Sequence, residues 1–265
     1  MNSSASETNS ALAVTEAARR LIGAVRTRVP VEPVRDALGA DISVAYDVQE
    51  SVLGALESAG NPRVGRKVGL TSEAVQRQLG VDQPDFGVLL ADMDVSGLAE
   101  IQSSRLIQPR IEAELAFILA LDVDDPERVL DAVEFVAPAL EIVDSRIADW
   151  NITIVDTIAD NASSGLFVLG DARMPLDDVD TVGIEMTLSS NGEVASTGTG
   201  VACLGDPRAA LLWVARTAHR LGRPLRAGEV VLSGALGPMV PFGPGTLVTA
   251  TLTGLGSVSA QASKE

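Results

Sequence analysis

Two glutamates stand two positions apart in the segment QPRIEAELAFIL (residues 108–119), whose apolar content is typical of a β-strand. Side chains alternate between the faces of a strand, so Glu112 and Glu114 would share one face, about 7 Å apart along it. Two carboxylates side by side on so apolar a strand are costly unless a cation compensates them. On spacing alone the simpler interpretation is a solvent-facing strand, because exposed glutamate is the norm.

Glu141 adds a third carboxylate. It lies in the run APALEIVDSRI (137–147), where apolar residues on both sides make simple solvation of its side chain unexpected. Three carboxylates without histidine or cysteine partners form an all-oxygen set, which favours Mg²⁺ or Mn²⁺ over zinc. The alternative is that Glu141 forms a salt bridge with a buried arginine such as Arg146.

Two further residues could bind an anion or move a proton. Lys67 lies in the apolar, glycine-flanked segment GRKVGLTS (65–72). A lysine there can hold a substrate carboxylate, or transfer a proton if its pKa is lowered. Asp85 precedes a phenylalanine and a glycine in VDQPDFGVLLADM (81–93). The alternatives are an ordinary surface lysine and an ordinary turn aspartate.

The composition limits the partners that the chain can have. Its 265 residues include 20 Lys plus Arg against 36 Asp plus Glu, a formal charge of -16. Such a surface repels phosphate backbones, so we expect no nucleic-acid partner, and the site of an anionic substrate must be locally positive.

A single cysteine, Cys203, excludes a disulfide within the chain and a cysteine-rich zinc site. No signal-peptide pattern and no membrane-spanning stretch are present, so we expect a cytoplasmic protein without a membrane partner.

The pattern of apolar residues predicts an α+β fold. We expect a disordered start over residues 1–9, a helix capped by Ser10 and a second helix capped by Asp41. Short apolar runs between Gly, Pro and Asp turns follow and predict strands. The chain therefore divides into a disordered start and helical N-terminal cap over 1–60 and a β-rich catalytic core over 61–265.

Within this core, local signals predict one hairpin and two helices. Asn191 and Gly192 stand between two alternating segments, which indicates a tight turn. The runs ERVLDAVEFV (127–136) and PRAALLWVARTAHRLG (207–222) have helical character.

Five segments in order resemble the successive motifs of one enzyme family, namely GRKVGLTS (65–72), VDQPDFGVLLADM (81–93), PRIEAELAFIL (109–119), ALEIVDSRI (139–147) and DNASSGLFVLG (160–170). The family is that of the 2-keto-4-pentenoate (2-hydroxypentadienoate) hydratases and 4-oxalocrotonate decarboxylases, a branch of the fumarylacetoacetate hydrolase superfamily. The resemblance runs from about residue 40 to the end of the chain.

The resemblance implies a fold and a set of roles. The fold is a mixed β-roll with an N-terminal helical cap. The family's metal ligands fall on Glu112, Glu114 and Glu141, and the ion would be Mg²⁺ or Mn²⁺. The catalytic lysine and aspartate fall on Lys67 and Asp85, and Ser164 falls beside substrate and metal, so that Ser164 and Lys67 would bind the substrate. Family members form large homo-oligomers, and hydratase and decarboxylase can associate as pathway partners.

The single histidine helps to choose the reaction. Hydrolases of the superfamily typically use a His–Glu pair, whereas here His219 is the only histidine and lies near the end of a predicted helix. We therefore expect hydration of 2-hydroxypenta-2,4-dienoate to 4-hydroxy-2-oxopentanoate, as in aromatic or steroid ring catabolism. The alternative is decarboxylation of 4-oxalocrotonate, but no clear extra cation for its second carboxylate is evident. A non-catalytic partner subunit that binds a small keto acid is the alternative of another class.

Overall fold

The structure, a computed structural model, describes residues 2–72, 76 and 81–265, with side chains from residue 11 onward. The chain opens with helices α1 (Asn2–Thr27), α2 (Arg35–Leu38) and α3 (Ile42–Glu57). Asp41 caps α3 as expected, because its carboxylate accepts a hydrogen bond from the Ser43 amide. Helix α1 begins at Asn2, so the predicted disordered start and the Ser10 cap are wrong. Alanine and glutamate favour helix, and serine opposes it only weakly.

In the described part of the chain, eleven strands follow and build two sheets. A seven-stranded mixed sheet has the order β2-β1-β8-β3-β4-β5, with β9 paired to β3, and a four-stranded antiparallel sheet has the order β11-β10-β6-β7. Helices α4 (Ile154–Ala159) and α5 (Pro207–Arg220) complete the core. The strands are β1 (Arg63–Gly69), β2 (Asp85–Leu90), β3 (Arg110–Leu119), β4 (Val133–Val143), β5 (Ser164–Leu169), β6 (Glu185–Ser190), β7 (Glu193–Thr199), β8 (Val230–Leu232), β9 (Val240–Pro241), β10 (Leu247–Leu252) and β11 (Gly256–Gln261).

The two faces of the large sheet pack into two different apolar clusters. One face carries large apolar residues such as Ile111, Leu115 and Phe117, which belong to the main core together with residues of the small sheet and α5. The other face carries a smaller cluster made of Leu89, Ala116, Ala139, Phe167 and Leu232. The alternation of β3 places Glu112 and Glu114 on this second face, because both are an even number of residues from Ala116.

The large sheet curls until its end strands meet. The Asn161 side chain lies against β2, where its Oδ1 accepts a hydrogen bond of 2.8 Å from the Val88 amide and its Nδ2 donates one of 2.9 Å to the Val88 carbonyl. This amide therefore pairs with β2 as the backbone of another strand would. Asn161, Ala162 and Ser163 all have left-handed φ angles, between 51° and 53°. Three such residues in a row are uncommon and indicate a turn that the surrounding structure holds in place.

The local predictions had mixed outcomes. The hairpin turn is confirmed, because Asn191 and Gly192 both have positive φ, 51° and 88°, as a type I′ turn requires. The helix over 207–222 is confirmed as α5. The helix predicted over 127–136 is wrong, since a 3-10 segment ends at Ala132 and β4 begins at Val133. Pairing with β3 along the whole of β4 outweighs the local preference.

In the part of the chain that the structure describes, no helix is long and apolar enough to cross a membrane.

Candidate metal centre and active site

The three predicted ligands converge at the centre of the β3–β4 pair. Glu112 lies directly opposite Glu141 in the antiparallel register, and Glu114 follows on the same face. One oxygen atom from each of the three carboxylates lies within 4.8 Å of the others. Glu114 and Glu141 are fully buried and Glu112 is half-buried, so the interpretation of Glu112 and Glu114 as exposed glutamates is wrong.

These carboxylates lack the donors that buried carboxylates normally have. Glu114 Oε2 accepts a hydrogen bond of 2.8 Å from the Gly234 amide. Glu114 Oε1 and both Glu141 oxygens accept no hydrogen bond from the described part of the chain, although Glu141 Oε1 has an ion-pair partner in Lys67. Buried polar atoms without partners are rare and call for a ligand or water. An all-oxygen set with free lone pairs fits a hard divalent cation such as Mg²⁺ or Mn²⁺.

Burial and mutual repulsion disfavour the charged forms of the three glutamates. Burial, reinforced by the charge of Glu141, raises the pKa of Glu112 to about 7. Burial and the charges of Glu141 and Glu112 raise the pKa of Glu114 well above its usual value. Burial also raises the pKa of Glu141, although Lys67 opposes the shift. A bound divalent cation would remove this cost by compensating the negative charge.

Lys67 is the cation nearest to these carboxylates. Its Nζ lies 3.2 Å from Glu141 Oε1, and both side chains are buried. The interpretation of Lys67 as a surface lysine is therefore wrong. A Glu141–Arg146 pair is wrong as well, because Arg146 pairs with Asp160 at 2.5 Å.

The electrostatics of Lys67 differ from those that we expected of a proton donor. Burial alone would lower its pKa, but the charges of Glu141, Asp85, Glu112 and Glu114 outweigh burial, so that its pKa is raised above the ordinary value. Lys67 is therefore an ammonium ion in the metal-free protein. As such it can hold a negative charge firmly.

Asp85 begins β2 and lies opposite Gly69 of β1. It is buried, so the interpretation as a turn residue is wrong. A Cβ atom at Gly69 would stand 2.3 Å from Asp85 Oδ1 and 3.5 Å from Lys67 Nζ, so a glycine is needed to admit the Asp85 carboxylate. Burial raises the pKa of Asp85 to about 6, against the opposing charge of Lys67. An aspartate with such a pKa is suited to exchange protons near neutral pH.

Ser164 lies where the roll closes. Its hydroxyl donates a hydrogen bond of 2.8 Å to the Asn161 carbonyl. A Cβ atom at Gly87 would stand 2.3 Å from Ser164 Oγ, and Gly87 pairs with Lys67 across β1 and β2. Ser164 therefore lies beside the strand position opposite Lys67.

Several backbone and small-residue features of the site escaped the sequence reasoning. They are Gly69 beneath Asp85, Gly87 against Ser164, the Gly234 amide on Glu114, and the Asn161 amide that closes the roll. The two strand glycines carried a usable signal, because glycine inside a strand marks a close approach of other groups. Gly234 and Asn161 carried none, since their partners are distant in sequence.

Comparison with known proteins identifies the family of this chain. The sequence profile of the fumarylacetoacetate (FAA) hydrolase C-terminal family matches residues 66–262, and the chain belongs to this family. It is 50% identical over 248 residues to the 2-keto-4-pentenoate hydratase of Paraburkholderia xenovorans (strain LB400), with 92% of each chain covered. It is 49% identical over 258 residues to 2-keto-4-pentenoate hydratase 2 of Dechloromonas aromatica (strain RCB), covering 96% of this chain and 98% of that protein.

The solved structures place the fold within the same family. The 4-oxalocrotonate decarboxylase from Pseudomonas putida G7, complexed with magnesium and adipate, matches with a TM-score of 0.89 and 32% identity. The match covers 94% of this chain and 97% of that chain. The predicted mixed β-roll with an N-terminal helical cap is confirmed.

Proposed function

We propose that this protein is a divalent-metal-dependent hydratase that converts 2-hydroxypenta-2,4-dienoate into 4-hydroxy-2-oxopentanoate. The observation that carries the proposal is the buried cluster of Glu112, Glu114 and Glu141, with carboxylate oxygens lacking donors, next to the buried pair Lys67 and Asp85. The relatives named 2-keto-4-pentenoate hydratase support this reaction.

The three glutamates would hold Mg²⁺ or Mn²⁺, which supplies positive charge for the carboxylate and 2-oxygen of a keto acid. The Gly234 amide fixes one oxygen of Glu114 and leaves the other free to face the cluster. The buried Lys67 ammonium adds a fixed positive charge on the same face. These groups together can stabilise the negative charge that develops on the substrate.

The remaining task is proton transfer along the carbon chain, and we assign it to Asp85 with the help of Lys67. In the first step the enol oxygen loses its proton and C5 gains one, which gives the 2-oxo-3-enoate. In the second step the oxygen of water bonds to C4 and a proton is delivered to C3. Asp85 can both accept and return a proton, because its pKa is raised to about 6 by burial. Ser164 would bind the substrate beside Lys67.

The second candidate is decarboxylation of 4-oxalocrotonate. It is favoured by the close structural match to a decarboxylase and by the same need for a metal beside the keto acid. That reaction releases carbon dioxide from a diacid, so its site must also receive a second carboxylate.

An ultraviolet assay separates the candidates. The chelated protein is supplied with Mg²⁺ or Mn²⁺ and with the dienol or 4-oxalocrotonate in parallel. We expect metal-dependent loss of the dienol with formation of 4-hydroxy-2-oxopentanoate, and slower use of the diacid. Faster use of 4-oxalocrotonate would favour the decarboxylase. Failure to use either acid would favour the non-catalytic partner subunit, and full activity after exhaustive chelation would contradict the metal site.

We also propose that the chain forms a high-order homo-oligomer in the cytoplasm, where it could associate with a partner enzyme of its pathway. Large apolar side chains that lie exposed on the single chain support assembly, among them Leu12, Val29, Val194 and Leu247. Light scattering should report a mass several times that of one chain, and a monomer at working concentration would contradict the proposal.

A further inference from the structure

Arg110 lies on the same face of β3 as the three glutamates, two residues before Glu112. The register of β3 with β4 is regular from Arg110 to Ile118, so Arg110, Glu112 and Glu114 point to one side. Arg110 is therefore about 7 Å along the strand from Glu112.

The three residues along this face of β3 differ in burial. Glu114 is fully buried, whereas Glu112 and Arg110 are half-buried. The face thus passes from the protein interior at Glu114 towards solvent at Arg110. An acid bound at the exposed side of the carboxylate cluster would therefore lie on the same side as the Arg110 guanidinium.

Arg110 has a fixed position without an acidic partner. Its guanidinium lies over the Trp150 ring, 5.1 Å from the ring centroid. Trp150 Nε1 donates a hydrogen bond of 3.0 Å to the Gln108 carbonyl, so the ring is tied to the backbone just before Arg110. Asp149 and Trp150 both have positive φ, 58° and 54°, which indicates a turn held in an uncommon conformation. Among the described residues Arg110 forms no ion pair, unlike Arg146 within the core.

The charge of the surroundings explains why such a cation is needed. The chain carries a formal charge of -16, which repels an anionic acid at a distance. We propose that Arg110, stacked on Trp150, is a substrate-binding residue whose guanidinium holds the carboxylate of the bound keto acid together with the metal. The identity of the substrate in this inference rests on the proposed function. The inference adds Arg110 as a residue that makes the site specific for acids.

Steady-state kinetics of Arg110→Gln, Arg110→Lys and Arg173→Gln would test the inference. Arg173 is a matched control, because its guanidinium also lies over an aromatic ring, that of Phe135, at 4.5 Å. Arg110→Gln should raise KM for the dienoate about 10–100-fold, the range of a lost charged hydrogen bond, and leave kcat within about twofold. Arg110→Lys should retain most of the affinity, and Arg173→Gln should match the wild type.

The salt dependence gives a second readout that a structural role would not change. Raising the ionic strength from about 0.02 to 0.2 M should lower kcat/KM of the wild type, because it screens an attraction. The same change should lower kcat/KM of Arg110→Gln less steeply, because only the attraction by the metal and Lys67 remains to be screened. Parallel salt dependences, an unchanged KM, or equal losses in Arg110→Gln and Arg173→Gln would overturn the inference.

A binding measurement keeps this inference distinct from the proposed reaction. The Kd of the saturated acid 2-oxopentanoate for the magnesium-loaded protein is measured by calorimetry for the same variants. If the wild type does not turn over the dienoate but Arg110→Gln weakens this binding about 10-fold or more, the reaction is wrong and the inference stands. If turnover is normal and the Kd is unchanged in Arg110→Gln, the inference is wrong and the reaction stands.

Discussion

Two of the groups of charged side chains that are buried in the described part of the chain differ in how well they are satisfied. One is the carboxylate cluster of Glu112, Glu114 and Glu141 with Lys67. The other is the arginine network, which we define as Asp144, Arg146 and Asp160.

Every member of the arginine network has hydrogen-bond partners. The Asp144 carboxylate accepts bonds from the amides of Ile107 and Gln108. Asp160 accepts bonds from Arg146 Nε and the Arg146 amide. Arg146 also donates to the Ser164 carbonyl at 2.7 Å, which ties the network to the start of β5. Burial raises the pKa of Asp160 to about 6, but Arg146 and these hydrogen bonds oppose the shift.

The contrast indicates which group is scaffold and which is site. Charges that are buried with full sets of donors hold segments of chain in register, as the arginine network does for residues 144–164. The carboxylate cluster instead leaves three oxygens without hydrogen bonds from the described part of the chain, and only Glu141 Oε1 among them has an ion-pair partner, Lys67. A folded protein tolerates that cost where a ligand completes the set. Substitutions in the two groups should therefore change different properties.

The largest effect should follow from Lys67→Ala and from Asp85→Asn. Each should lower kcat about 10²–10⁴-fold, the usual contribution of one general acid–base group, while metal binding and folding are retained. The measurement is the ultraviolet assay beside a magnesium titration and a thermal melt. Lys264→Ala is the matched control, because Lys264 is exposed near the end of the chain. Near wild-type rates in both Lys67→Ala and Asp85→Asn would contradict their assignment to proton transfer.

Arg146→Met should act on stability. It leaves Asp160 buried without its cationic partner, and loss of one member of a buried pair costs about 3–5 kcal/mol. Denaturant unfolding measures this loss. Arg128→Met is the control, because Arg128 pairs with Asp131 on the surface and should contribute little. If Arg146→Met unfolds at the same denaturant concentration as the wild type, the arginine network is not the scaffold that we describe.

The metal-free protein should become less stable as the pH rises. Burial raises the pKa of Glu112 to about 7 in the folded state, whereas an unfolded glutamate has a pKa of about 4.3. Between these two pH values the folded state therefore binds more protons than the unfolded state. The free energy of unfolding therefore falls across that window, by up to about 1.4 kcal/mol per pH unit for each displaced proton.

Bound Mg²⁺ should remove this dependence, because it displaces the protons from the carboxylates. Unfolding in denaturant at several pH values, with a chelator and with Mg²⁺, provides the measurement. A lowered glutamate pKa would instead make the free energy of unfolding of the metal-free protein rise from about pH 5 to 7. That result would contradict the raised pKa values.

The smallest expected effect has the opposite sign to that of Arg146→Met. Glu114→Gln keeps an acceptor for the Gly234 amide and removes a carboxyl group whose charged form the fold disfavours. At neutral pH it should slightly stabilise the metal-free protein, because burial and the neighbouring carboxylates raise the pKa of Glu114, and it should weaken magnesium binding. Loss of stability in the metal-free variant would mean that the cluster, like the arginine network, is satisfied without an ion.

Parts of the fold were predictable because their signals are local. The Asp41 cap, the Asn191–Gly192 turn and helix α5 each depend on residues that are close in sequence. The segment over 127–136 was misread because its local signal is helical, whereas the strand that begins at Val133 forms only by pairing with β3. The start of α1 was misread because residues 2–9 carry no apolar pattern that marks a helix.

The sequence by itself determined which carboxylates share a face, because alternation along β3 follows from backbone geometry. It also indicated, through ordered motifs, that Lys67, Asp85 and Ser164 belong to the same site. Only the tertiary structure decided that Glu141 meets Glu112 across β3 and β4, that Lys67 rather than Arg146 pairs with Glu141, and that the Lys67 pKa is raised. Those outcomes depend on strand register and on the summed charges of groups distant in sequence, and neither quantity exists before the chain has folded.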